Sequence, residues 1–329
     1  MLRVKRISAA AAIFAMFLLP AAASAGCTQS GIQRDSKTSV VCTIFPQYDW
    51  VRQILGDKAD SMDLTLLLSN KADLHSYQPS VDDIVKISTC DLLIYVGGIS
   101  DGWVEATLSD TINEKMIVIN LLEALGDAVK TEEIVEGMED DDDNESGDDK
   151  DEYDEHVWLS LKNAIVLCNT IAAALVSLDA GNAEAYQNNL ELYIGKLTAL
   201  DSEYRAAVDA APVRMLLFGD RFPFRYILDD YGIDYFAAFA GCSAETEASF
   251  KTIIFLTEKT DEFNLRNIMV TESSDKKIAE TIIRESRDKN QRILVMDAIQ
   301  SVASVDVENG ATYLSIMESN LRVLKEALS

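Results

Sequence analysis

AEAYQNNLELYIGKLTALDSEYRAAVDA, residues 183–210, carries no strand signal and sets Tyr186, Leu190, Tyr193, Leu197, Leu200 and Tyr204 three or four positions apart. That spacing lines one face of a single helix, long enough to connect two domains. A shorter helix precedes it, with Ala164, Leu167, Ile171 and Leu175 on one stripe, and the two break near Asp179-Ala180-Gly181.

On either side of this helical stretch, short apolar runs alternate with amphipathic segments. Before it, strands are expected at Ser39 to Phe45, Asp63 to Leu68, Leu92 to Val96 and Met116 to Asn120. Helices are expected at Tyr48 to Leu55, stopped by Gly56, and from Ser80 to Ile87, with Asp83 completing a capping box. After it, strands at Val213 to Phe218, Ile233 to Ala237, Asn267 to Val270 and Arg292 to Met296 alternate with four further helices. This is the βαβ rhythm of parallel sheets. The expected fold is therefore α/β: two lobes, each a parallel sheet flanked by helices, joined by a long rigid helix, with a ligand site in the interlobe cleft.

The first 26 residues read differently. A basic start, an apolar run from Ala9 to Leu19 and small residues up to Gly26 make a secretory signal too short to span a bilayer. Ala23-Ser24-Ala25 fits ordinary cleavage, while Ala25-Gly26-Cys27 resembles a bacterial lipobox and would leave Cys27 carrying lipid. The lipoprotein reading is favoured. The expected division is 1–26 signal peptide, 27–38 tether, 39–180 first lobe, 181–211 linking helix and 212–329 second lobe.

A net charge of −26 excludes nucleic acid as a partner. Much of the acid is local, with fifteen carboxylates and one lysine in the loop 132–155. Such a block is expected to be solvated. No CxxC pair is present, which argues against a cysteine zinc site. Trp103 and Trp158 are expected in the core, Trp50 partly exposed and Glu155 facing solvent.

The chain has two histidines. His75 follows the second strand, and His156 ends the acidic run. Asp220 and Asp297 each come straight after a strand of the second lobe. Two imidazoles and two carboxylates at strand ends suit zinc or manganese. Asp220 could instead cap a helix. Glu272, also after a strand, is read as orienting a ligand or anchoring a surface contact.

The segments His75-x-x-x-Pro79-Ser80, Asp154-Glu155-His156-Val157-Trp158-Leu159-Ser160 and Gly241-Cys242-Ser243-Ala244-Glu245-Thr246-Glu247 resemble the zinc and manganese substrate-binding proteins of ABC importers, cluster A-I, and specifically the zinc branch. The resemblance runs from Ser39 to the C-terminus. It implies a non-enzymatic extracytoplasmic receptor, expected to be monomeric, that captures Zn²⁺ and presents it to a membrane permease. His75 and His156 match the first two ligands, and Asp297 the fourth. The third normally precedes a Phe-x-Tyr segment. Here Arg221 falls at that position, so Asp220 is expected to replace it. The acidic loop keeps the family's acid and lacks its histidine, and is expected to concentrate cations only weakly. Rival readings are Mn²⁺ transport, a zinc hydrolase (no HExxH is present) and an adhesin with a structural metal.

Overall fold

Four parallel strands make each of two sheets, and the two sheets share one strand order. The computed structural model describes residues 37–70, 74–109, 111–138, 153–243 and 247–329. The signal peptide, Cys27, all but the end of the tether, and residues 139–152 of the acidic loop lie outside them. In the first sheet β1 (Ser39–Cys42), β2 (Asp63–Leu66), β3 (Leu92–Tyr95) and β4 (Ile117–Asn120) run in the order β2-β1-β3-β4. In the second, β5 (Met215–Phe222), β6 (Asp234–Ala240), β7 (Asn267–Thr271) and β8 (Arg292–Met296) run β6-β5-β7-β8. Every strand pairing is parallel.

The helices of the first half are α1 (Phe45–Leu55), α2 (Val81–Thr89), α3 (Gly102–Ser109), α4 (Leu121–Leu125) and α5 (Leu161–Leu178). Ser80 caps α2 as expected: its hydroxyl accepts the Asp83 N–H at 3.2 Å, and Asp83 accepts the Ser80 N–H at 2.9 Å. α5 is apolar enough to pass for a membrane span by composition, but it packs between α1 and α6 as a core helix. α6 (Ala183–Asp209) is the long helix, about 40 Å at 1.5 Å per residue. Its stripe Tyr186, Leu190, Tyr193, Leu197, Leu200, Tyr204 and Val208 is buried, each side chain contributing roughly 1.5–3 kcal/mol before ordering costs. The second half adds α7 (Arg225–Tyr231), α8 (Phe250–Glu262), α9 (Lys277–Glu285), α10 (Ser304–Glu308) and α11 (Tyr313–Ala327).

One apolar core runs continuously from β1 and β3 through α1, α5 and α6 to β5, α7 and α11, with a smaller cluster between the second sheet and α8 and α9. Trp50 is fully buried with its ring edge against Tyr313, rather than partly exposed, because α11 folds back onto α1. The two sheets are therefore joined by packing as well as by α6.

The turn leaving β3 is closed by a buried acid. Asp101 is 1% exposed, and its Oδ2 accepts the N–H groups of Val96 at 2.6 Å and Gly97 at 3.3 Å. Burial pushes its carboxyl up to about 6, the two N–H groups oppose this, and the charge of Glu155 adds to it. A carboxyl raised in the folded state binds more protons there than in the unfolded chain between 3.8 and 6. Stability is therefore highest below that window and falls as pH rises through it, by up to about 3 kcal/mol above pH 6. Asp101→Asn should remove this component. Urea midpoints of variant and wild type should diverge from pH 4 to pH 7, the variant being the more stable at pH 7. Parallel curves would refute the assignment.

Candidate metal centre

Each of three loops carries a metal-ligating side chain and then enters a serine-capped helix. His75 lies beyond β2 in a short 3-10 turn, Leu74–Ser76, five residues before Ser80. His156 lies four residues before Ser160, which caps α5 by accepting the Asn163 N–H at 3.1 Å. Cys242 lies just past β6 and seven residues before Ser249, which caps α8 by accepting the Thr252 N–H at 3.2 Å. β2 and β6 hold equivalent places in their sheets, so His75 and Cys242 leave equivalent strand ends. A cap fixes where each loop joins its helix.

One ligand atom from each of His75, His156 and Cys242 lies within 4.8 Å of the other two. Zinc bonds of about 2.1 Å to nitrogen and about 2.3 Å to sulfur place tetrahedral donors roughly 3.6 Å apart. A contraction of about 1 Å would close the three around an ion.

His156 is fully buried. Asp154 Oδ1 accepts its backbone N–H at 2.9 Å and stands 2.9 Å from its Nδ1, while Nε2 is buried without a hydrogen-bond partner among the described residues. Burial pulls the imidazole pKa down, but the charge and hydrogen bond of Asp154, with the charges of Glu155 and Glu132, raise it overall. Gly241 makes the close approach of the Cys242 loop feasible. A Cβ there would come within 2.9 Å of the Phe222 carbonyl oxygen and 3.0 Å of His156 Cε1.

The Cys242 N–H donates to Glu132 Oε1 at 2.9 Å. Burial pushes its thiol pKa up, and the charges of Glu132, Glu155 and Asp154 push it further. A cation that takes the thiolate must therefore displace a proton. His75 is 12% exposed, with Nδ1 2.7 Å from Ser100 Oγ and Nε2 3.4 Å from Gln300 Nε2. Beside these residues lies a cavity of about 450 Å³ lined in part by His75, Tyr77, Trp103, Glu132 and Cys242.

The carboxylates expected as ligands lie elsewhere. Asp220 Oδ2 accepts the Thr271 N–H at 3.0 Å and hydroxyl at 2.7 Å, while Oδ1 accepts the Arg221 N–H at 2.8 Å. The cause is local. β5 and β7 pair only at Phe218 and Met269 and β5 shifts register beyond Phe218, so Asp220 supplies the acceptor that the diverging ladder lacks. Arg221 reaches Ser243 O at 3.5 Å, beside Cys242.

Asp297 Oδ1 accepts the Ile299 N–H at 2.7 Å, on the loop whose Gln300 touches His75. Glu272 anchors that loop by accepting the Ala298 N–H at 2.8 Å, and burial and the Asp297 charge raise its carboxyl to about 7. Neither Asp220 nor Asp297 joins the three-residue group.

Sequence reasoning did not single out Cys242, which the structure groups with both histidines. A CxxC rule describes ligands on one knuckle, whereas these come from three separate loops. The available signal was its position just past the strand equivalent to the one before His75. Glu155 is also corrected: it is 1% exposed rather than solvent-facing.

The sequence profile of a family described as "Zinc-uptake complex component A periplasmic" matches residues 40–327. "Zinc-binding lipoprotein AdcA" of Streptococcus pneumoniae is 30% identical over 296 residues, covering 89% of this chain and 56% of its own. The chain thus spans about half the length of that relative. "High-affinity zinc uptake system protein ZnuA" of Bacillus subtilis is 29% identical over 328 residues, 98% of either chain. The crystal structure of the Zn(II)-bound ZnuA-like domain of S. pneumoniae AdcA superposes with a TM-score of 0.69 at 26% identity, covering 89% of this chain and 99% of that one. A laminin-binding adhesin of Streptococcus agalactiae gives a TM-score of 0.73 at 21% identity over 89% of this chain and all of that one, a likeness of fold alone.

Proposed function

Because the chain belongs to the zinc-uptake complex component A family of transport binding proteins, we propose that it captures Zn²⁺ outside the cytoplasm and hands it to an ABC permease without transforming it. The observation that carries this reading is the grouping of His75, His156 and Cys242, with His156 Nε2 buried and lacking a hydrogen-bond partner among the described residues. Two imidazoles and a thiolate make a soft donor set that favours zinc over manganese. Asp297, on the loop whose Gln300 lies 3.4 Å from His75 Nε2, is the carboxylate we assign to complete the shell, by turning from Ile299 while Glu272 holds its loop. Asp220 has no part in it. The proteins named as zinc-binding and zinc-uptake components support the cargo, and the relative named as a lipoprotein supports a lipid anchor at Cys27 on the outer face of the cytoplasmic membrane.

The test is competitive titration of chelator-stripped protein with Zn²⁺ and Mn²⁺. Tight one-to-one zinc uptake that excess manganese does not reverse is expected. Preference for manganese would change the cargo and keep the receptor. Tight binding of neither ion would remove the transport reading.

A further inference from the structure

Two adjacent carboxylates precede the second histidine, and each faces a different imidazole. Asp154 stands against His156 Nδ1. Glu155 turns to the other ring: its Oε2 lies 3.8 Å from His75 Nδ1, with the carboxylate side chain 2% exposed. Its Oε1 accepts the Ser100 N–H at 2.8 Å, and Ser100 Oγ in turn lies 2.7 Å from His75 Nδ1. The arrangement depends on Gly98, where a Cβ would fall 2.1 Å from Glu155 Oε1. Glu155 Oε2 is buried and has no hydrogen-bond partner among the described residues. Fold stability does not require such an oxygen; leaving one unpaired costs about 1–3 kcal/mol or more.

We infer that Glu155 is the positioning carboxylate for His75, an inference that rests on the zinc-site reading above. Its negative charge beside Nδ1 opposes a lone pair there and favours an N–H. Its grip on the Ser100 backbone places the Ser100 hydroxyl to accept that N–H. Both effects keep the proton on Nδ1 and turn Nε2 of His75 toward the ion, as Asp154 does for His156. A carboxylate behind a ligating imidazole fixes its tautomer and orientation and raises its basicity. The dipeptide Asp154-Glu155 thereby orients both imidazoles of the centre, so the first two residues of one sequence motif govern two ligands carried on separate loops.

The experiment uses the two-histidine composition of the chain. Protein labelled with ¹⁵N at histidine gives two imidazoles whose tautomers are resolved by long-range ¹H–¹⁵N correlation, without metal and at a pH where both rings are neutral. In wild type, both should carry the proton on Nδ1. Glu155→Gln keeps an acceptor for the Ser100 N–H and removes the charge. It should move His75 toward the Nε2–H form, leave His156 unchanged, and weaken zinc binding about 10–100-fold. The melting temperature without metal should hold or rise, whereas a merely structural role would lower it. Ser100→Ala tests the same relay with Glu155 in place, and should shift the His75 tautomer with a smaller loss of affinity. If His75 keeps its proton on Nδ1 in Glu155→Gln and zinc affinity is unchanged, the inference is overturned and the zinc reading stands. If wild type takes up no zinc, the zinc reading falls.

Discussion

Cys242→Ala should bind zinc more than a hundredfold more weakly than wild type, while Asp220→Ala should bind it as wild type does. Structural zinc sites hold their ion with roughly 10–16 kcal/mol of apparent free energy. Shared among four donors, one ligand represents about 3 kcal/mol, and each 1.4 kcal/mol is tenfold. Cys242→Ser, with a harder oxygen, should lose less and narrow the gap between zinc and manganese. Asp220→Ala acts on a different link of the chain. It deprives the buried Thr271 N–H and hydroxyl of their acceptor between β5 and β7, which should cost about 1–3 kcal/mol of stability. Chelator competition reads the first effect and the urea midpoint the second. The opposite pattern, with affinity lost in Asp220→Ala and kept in Cys242→Ala, would restore the carboxylate expected from sequence.

That contrast marks where the sequence was informative and where it was not. The helix 183–209 is legible because seven buried residues repeat at one spacing, and the parallel pairing of the strands follows from βαβ rhythm. The caps at Ser80 and the ligand setting of His75 and His156 are local features, complete within a few residues. Asp220 is ambiguous in the sequence because a strand-end carboxylate looks the same whether it meets a cation or the N–H of a neighbouring strand. Only the interrupted pairing of β5 with β7 separates the two, and that interruption is a property of the sheet. Cys242 depends on the equivalence of β2 and β6, which appears once both sheets share an order. Glu155 and Trp50 were placed near solvent because the partners that cover them, Ser100 and Tyr313, are distant in sequence.

The second large effect is expected at Trp158, where the site and the shared core meet. Its indole is fully buried 5.3 Å from the His156 ring, and its Nε1 donates to Ala298 O at 2.9 Å, on the Asp297 loop. Its carbonyl accepts the Tyr313 hydroxyl at 2.7 Å, and the Tyr313 N–H donates to Asp49 Oδ2 at 2.9 Å on α1. A single residue thus ties α1, α11, the His156 loop and the Asp297 loop together. Trp158→Ala should cost about 3–5 kcal/mol, a large share of the roughly 5–15 kcal/mol that holds a domain folded. Trp158→Phe keeps most of the volume but strands the Ala298 carbonyl. It should lose less stability while still weakening zinc binding, because the Asp297 loop is released. Since the core is continuous, wild type should unfold in urea in one transition, with fluorescence and far-ultraviolet circular dichroism coincident. Two separated transitions would mean that the halves fold independently. The shared core should confine a response to zinc to the loops of His75, Cys242 and Asp297, because rocking two rigid lobes would break the contacts made through Trp158 and Tyr313.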